Sequence, residues 1–135
     1  MPEGGCICGN VRYNIEGEPV MKALCHCLDC RKISGSTYST NAIYQKDNFK
    51  LLKGSPKTHV KTADGGNPIT SYFCGDCGST MWRDGDSFPG MNVIKVGTID
   101  DTDAISKAKP GVELYVSRRV DWVPATEGTE QKAMS

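Results

Sequence analysis

A chain of 135 residues is long enough to bury one hydrophobic core and too short for two, so a single domain is expected. Its 16 basic and 16 acidic residues cancel and are mixed along the sequence, which argues against a nucleic-acid binder or a protein drawn to anionic membranes. No run of 18 apolar residues occurs, and the start MPEGGCICGN has neither a charged-then-apolar nor an arginine-rich amphipathic pattern; the expectation is a soluble, cytoplasmic protein.

In chain order, Val11, Tyr13 and Ile15 alternate as one face of a strand. A short helix is predicted at Leu28 to Ser34, directly after the second group of cysteines. Thr37 to Tyr44, His59 to Lys61, Ser71 to Cys74, Met91 to Gly97 and Val112 to Val116 are rich in β-branched and aromatic residues and read as strands. A second helical turn is placed after Asp100-Asp101. Fifteen glycines and seven prolines punctuate these runs, with turn material at Gly54-Ser55-Pro56, Gly65-Gly66-Asn67-Pro68 and Asp84-Gly85-Asp86. The fold class is therefore mainly β with little helix. Phe73, Trp82 and Trp122 are assigned to the core. The domain is drawn over residues 1–124, and the polar tail 125–135 is expected to fray and is assigned no function.

Seven cysteines need an explanation. Without a secretory signal they should stay reduced, and an odd number leaves one unpaired in any disulfide scheme. They fall into Cys6-x-Cys8, Cys25-His-Cys27-x-x-Cys30 and Cys74-x-x-Cys77, and none stands alone. Thiolates about 2.3 Å from a tetrahedral zinc must converge, which pairs on tight turns do readily. Cys6, Cys8, Cys74 and Cys77 make a complete structural site that staples the N-terminal segment to the middle of the chain. Cys25, Cys27 and Cys30 then remain as three ligands whose fourth position is taken by water, substrate or a non-cysteine group. Zinc with three protein ligands and an exchangeable position suits catalysis, and a thiol bound there would be deprotonated, which favours thiol chemistry. Two other readings stay open: closure of the triplet by His26, His59, Asp29 or Asp76, and a single cluster of all seven cysteines. His26, between two ligands in extended backbone, is expected to point away from theirs. The segment Arg31-Lys32-Ile33-Ser34-Gly35-Ser36 brings two cations and two hydroxyls close behind the triplet, suited to a carboxylate-bearing ligand. Of Arg118 and Arg119, adjacent on one segment, at most one would face inward.

These motifs, Gly5-Cys6-x-Cys8-Gly9-x-Val11-Arg12-Tyr13, Cys25-His-Cys-x-x-Cys-Arg-Lys-x-Ser-Gly-Ser36 and Phe73-Cys-x-x-Cys-Gly78, resemble the glutathione-dependent formaldehyde-activating enzyme (Gfa) family, also called the centromere-protein-V/Gfa domain. The resemblance extends from about Gly4 to Trp122 and takes in Gly97-Thr-Ile-Asp-Asp101. It implies a small two-sheet, zinc-stapled β fold of the Mss-four-like type, a structural zinc on Cys6, Cys8, Cys74 and Cys77, and a catalytic zinc on Cys25, Cys27 and Cys30. It further implies carbon–sulfur lyase activity with glutathione as cosubstrate, as in the joining of glutathione and formaldehyde, and makes Arg31, Lys32, Ser34 and Ser36 candidate glutathione contacts. Many relatives carry a histidine near the position of Glu113, so the substrate is the less constrained part of the analogy. An activated alkene is the alternative electrophile, with isomerisation as the net reaction; a non-catalytic two-zinc interaction module is the rival class. A zinc-containing methionine sulfoxide reductase would need a cysteine beyond Cys77, and there is none.

Overall fold

The computed structural model describes residues 2–62 and 66–134. Gly65 of the expected turn at 65–68 lies outside these, as do Met1 and Ser135 at the ends of the expected domain and tail. Among the described residues the strands are β1 (Glu3–Gly5), β2 (Arg12–Ile15), β3 (Met21–Cys25), β4 (Ser39–Gln45), β5 (Phe49–Lys53), β6 (Lys57–Thr62), β7 (Pro68–Phe73), β8 (Thr80–Gly85), β9 (Met91–Lys95), β10 (Val112–Leu114) and β11 (Glu130–Gln131). Two short α-helices, α1 (Leu28–Ser34) and α2 (Ala104–Lys107), join them. The mainly β, two-sheet expectation holds, and α1 has the predicted bounds.

A three-stranded sheet has the order β1-β2-β5, and an eight-stranded sheet runs β11-β10-β3-β4-β9-β8-β7-β6. Most neighbours are antiparallel, but β10 lies parallel to both β3 and β11. Period-two alternation in the central strands splits the core into two layers. Ala42 and Tyr44 of β4, with Ile94 of β9 and Trp82 of β8, join Tyr13 and Ile15 in one layer. Ala23 of β3, Ile43 of β4, Val93 of β9, and Val112 and Leu114 of β10 form the other. Tyr13 anchors the first layer, stacked on Phe49 at 5.4 Å and edge-on to Trp82 at 6.1 Å, with its hydroxyl 2.7 Å from Thr98 Oγ1. Such aromatic pairs contribute roughly 0.5–1.5 kcal/mol each beyond the area they bury.

Two expectations are corrected here. Trp122 is 74% exposed and belongs to neither core layer, because it sits in turn structure beyond the last long strand rather than on a sheet face. The polar tail is not a frayed end: Glu130–Gln131 pairs with β10, and the Val116 and Lys132 amides are tied to Lys132 and Glu113 carbonyls. Thr126, Thr129 and Gln131 of the tail donate to one buried carboxylate, that of Glu113, which a reading based on hydropathy does not anticipate.

Candidate metal centres and cavity

The first cysteine group is built from two turns. Cys6 and Cys8 lie between β1 and β2, and Cys74 and Cys77 lie in the connection from β7 to β8. The second turn closes by Gly78 N–H donating to the Cys74 carbonyl at 2.9 Å, with Gly78 at φ 82, a conformation that strains any residue with a Cβ. Backbone amides turn inward: Val11 N–H donates to Cys6 Sγ at 3.3 Å and Asp76 N–H to Cys74 Sγ at 3.4 Å. Hydrogen bonds from the Ser79 hydroxyl and amide hold the Cys77 thiol down at about 5. The Sγ atoms of Cys6 and Cys8 are 3.5 Å apart and those of Cys8 and Cys74 3.7 Å apart. A tetrahedral zinc with Zn–S near 2.3 Å requires sulfurs about 3.8 Å apart, so the donor set fits that ion. Asp76, a candidate closing ligand for the triplet, instead accepts from Asn10 Nδ2 at 2.8 Å in this part of the molecule.

The second group sits at the end of β3 and the start of α1. Cys27 is the N-cap of α1, and its Sγ accepts from Cys30 N–H at 3.3 Å. A thiolate at this position meets unpaired amides and the positive end of the helix. The ligand atoms of Cys25, Cys27 and Cys30 all lie within 4.8 Å of one another, and among the described residues no histidine or carboxylate joins them. The seven-cysteine cluster is not formed, since the two groups stand apart. Hydrogen bonds from Cys25 and then Cys27, helped by the charge of Lys95, hold Cys30 down at about 2, while hydrogen bonding to Cys27 and Cys30 pushes Cys25 far up. One sulfur is thus charged at the expense of its neighbours, and a divalent cation would replace the protons the others retain.

The triplet lies in the wall of a cavity of about 70 Å³. Apolar walls come from Ile69, Phe88, Val93, Leu114 and Tyr115, and polar groups from Asp29, Asn41, Arg83, Ser87 and Lys95. Tyr115 has φ 55, a left-handed conformation that is unfavourable for a bulky residue, and is buried in this wall. Arg83 is committed to protein partners: Nε donates to Ser71 Oγ at 2.9 Å, and Nη2 is 3.6 Å from Asp29 Oδ2. Asp29 also pairs with Lys61. Lys95 is 9% exposed and donates from Nζ to Asn41 Oδ1 at 2.7 Å. Burial pushes its ammonium down from the ordinary value, against the charge of Cys30.

None of the four sequence-predicted glutathione contacts lines this cavity. Arg31 Nη2 donates to the Arg118 carbonyl, and Ser34 Oγ donates to the Cys30 carbonyl at 2.6 Å in the last turn of α1. Lys32 and Ser36 are exposed. Arg31 and Ser34, four residues after Cys27 and Cys30, share the face of those cysteines but donate to nearby carbonyls, while Lys32 falls off that face. His59 is exposed on β6, away from both groups. The cations of the cavity, Arg83 and Lys95, come from strands far along the chain. Lys95 had a signal: in Met91-Asn92-Val93-Ile94-Lys95 it shares the phase of Met91 and Val93, so a charge falls on an apolar face.

Behind the triplet is a network that sequence reading missed. His26 is 0% exposed, and its Nε2 donates to Oε1 of Glu113, also 0% exposed, at 2.7 Å. His26 Nδ1 is buried with no hydrogen-bond partner. As expected, His26 turns away from the cysteine ligands. Glu113 further accepts from Thr126 N–H at 2.7 Å, Thr129 Oγ1 at 3.0 Å, Gln131 Nε2 at 3.0 Å and Arg119 Nη2 at 3.3 Å. Burial alone would raise this carboxyl, but the donors from Gln131, Thr126, His26 and Thr129 outweigh it and hold it at about 2. Of the adjacent arginines, Arg119 is the one that faces inward.

Fold and centres together define a class: a mainly β domain with two cysteine groups whose donor sets suit zinc, one closed by four thiols and one of three thiols facing a cavity. Over residues 1–118 the chain matches the family described as Glutathione-dependent formaldehyde-activating enzyme, and it belongs to that family. A crystal structure of a Rhodobacter sphaeroides protein, a Northeast Structural Genomics target, is similar with a TM-score of 0.60 at 19% identity, covering 74% of this chain and 89% of that one. At that identity the likeness speaks for the fold alone. Among the described residues no helix is long and apolar enough to cross a membrane.

Proposed function

We propose that the protein is a zinc-dependent enzyme that takes glutathione as its thiol and makes or breaks a carbon–sulfur bond to a small electrophile, as in S-hydroxymethylglutathione formation. The observation that carries this reading is the triplet itself: three converging thiols at a cavity wall, with no fourth protein donor among the described residues. In this reading zinc on Cys25, Cys27 and Cys30 supplies a position that holds a fourth ligand as thiolate near neutral pH. A free thiol of pKa about 8.5 is only a few per cent ionised at pH 7, so full ionisation raises the thiolate concentration by roughly tens-fold. The remaining acceleration falls to positioning by the cavity walls, which exclude water and hold the reacting carbon beside the sulfur. Cys6, Cys8, Cys74 and Cys77 hold a second, structural zinc with no vacant position.

The test is a titration of the cobalt-substituted full-length protein with glutathione, followed through the thiolate-to-metal and ligand-field absorption bands. A saturable change, absent with S-methylglutathione and lost in Cys27→Ser, supports the reading. Unchanged bands with both centres loaded would leave a two-metal interaction module instead.

A further inference from the structure

We infer that Lys95 is the residue that meets the substrate's oxygen: its ammonium, in the wall of the triplet cavity, donates a hydrogen bond to a carbonyl or carboxylate oxygen of a compact ligand seated beside Cys25, Cys27 and Cys30. The inference rests on the thiol-enzyme reading above and names the substrate class and the recognising residue for that site.

Burial, hydrogen bonding, charge and room carry it. Lys95 is buried with its charge facing the triplet sulfurs, while its hydrogen bond goes to a neutral amide, Asn41 Oδ1. An ammonium has three donors, and that bond uses one. The Asn41 side chain is itself fixed: Nδ2 lies 3.2 Å from the Ala23 and Ser39 carbonyls and 3.0 Å from Ser39 Oγ, which leaves Oδ1 to hold the lysine. Lys95 is therefore preorganised rather than adrift, the condition under which a buried donor acts strongly on a developing charge.

Charge and room point the same way. Arg83, the other cation of the cavity, lies 3.6 Å from Asp29, a carboxylate it shares with Lys61, whereas Lys95 has no carboxylate partner in the described structure. Three thiolates around a divalent ion would carry one net negative charge, which Lys95 offsets, so an anionic ligand enters a site that is neutral rather than already negative. A space of about 70 Å³ suits a compact group of a handful of non-hydrogen atoms beside the sulfurs. The electrophile is accordingly small and oxygen-bearing, with apolar walls around its carbon. As the thiolate sulfur's electron pair forms the S–C bond, the carbonyl π pair moves onto oxygen, and a proton from solvent completes the hydroxyl. Lys95 donates to that oxygen throughout; the reverse sequence returns thiol and carbonyl compound.

The experiment compares two small thiols on the cobalt-substituted full-length protein: mercaptoacetate, which carries a carboxylate beside its sulfur, and 2-mercaptoethanol, which is similar in size and neutral. A charge-assisted hydrogen bond predicts at least about tenfold tighter binding of mercaptoacetate, with that preference lost in Lys95→Met. Equal affinities in the wild type, or a preference that survives in Lys95→Met because the carboxylate chelates the metal directly, would overturn the role of Lys95 while leaving the thiol-enzyme reading intact. If neither thiol changes the bands of the triplet centre, that reading fails and takes the inference with it. Should Lys95→Met lose cobalt from the triplet while the four-cysteine centre stays loaded, Lys95→Gln, which keeps a donor without the charge, is read by the same ratio, and a tenfold preference persisting there overturns the proposal.

Discussion

The two cysteine groups use the same ligand chemistry and differ in what surrounds it. The four-cysteine group is satisfied locally: its amides, Ser79 and the Asn10–Asp76 bond all come from the same two turns, and Ile7 between its first two ligands is 91% exposed. The triplet is supported from a distance, by β4, β8, β9 and β10 and by the tail. A centre that holds segments together needs four ligands and little else. One that handles substrate needs a vacant position, a dry wall and charges placed by the whole fold.

The largest test of that contrast is Cys74→Ser. Removing one ligand from the staple should abolish the cooperative thermal transition or remove a large share of a stability of about 5–15 kcal/mol, because binding free energy at such a centre is folding free energy. Cys27→Ser should keep a cooperative transition and lose metal from the triplet alone. Thermal unfolding followed by circular dichroism, with metal analysis of each variant, separates the two; similar collapse in both would erase the distinction between the centres.

Next in size is Glu113→Gln. It keeps the shape but weakens several charge-assisted bonds in a buried network, an expected loss of about 2–4 kcal/mol in denaturant unfolding. Because the folded-state carboxyl is held down at about 2 against an ordinary 4.5, its contribution is complete above pH 4.5 and fades as pH falls toward 2. The gap between wild type and Glu113→Gln should therefore narrow between pH 5 and pH 3. A constant gap would mean that the carboxylate's charge does not contribute. The cobalt bands of the triplet, one residue from His26, should shift in this variant while those of the four-cysteine centre stay put.

A smaller effect is expected from removing residues 126–135, which deletes three of the donors to Glu113 and one short strand. A loss of about 1–3 kcal/mol is expected, with weaker metal retention at the triplet on competition with a chelator. Unchanged stability would return the tail to the frayed end its composition suggested. Smallest of all, Lys32→Ala and Ser36→Ala should alter glutathione affinity less than twofold in the cobalt titration, since neither residue lines the cavity. A tenfold loss in either would restore that residue as a glutathione contact.

How legible the molecule was follows from how local each feature is. The helix Leu28–Ser34, the partition of the cysteines and the strands near 39–45, 91–95 and 112–114 were readable, because metal-ligand spacing and period-two alternation are written within a few residues. Short strands such as Glu3–Gly5 and Phe49–Lys53 were not, since their pairing in the three-stranded sheet comes from partners far along the chain. The cations nearest the triplet in sequence, Arg31 and Lys32, do not line the cavity, and those that do, Arg83 and Lys95, are contributed by β8 and β9.

By itself, then, the sequence determined the class of the protein, the two ligand sets and which of them lacks a fourth cysteine, because ligand convergence on a metal demands fixed residue types at short spacings. Only the tertiary structure decided what faces the triplet. Whether Lys95 turns into the cavity, whether Glu113 becomes a buried anchor for His26, and whether a polar tail frays or docks depend on strand register and on satisfaction of buried polar groups, which long-range packing sets and local composition does not.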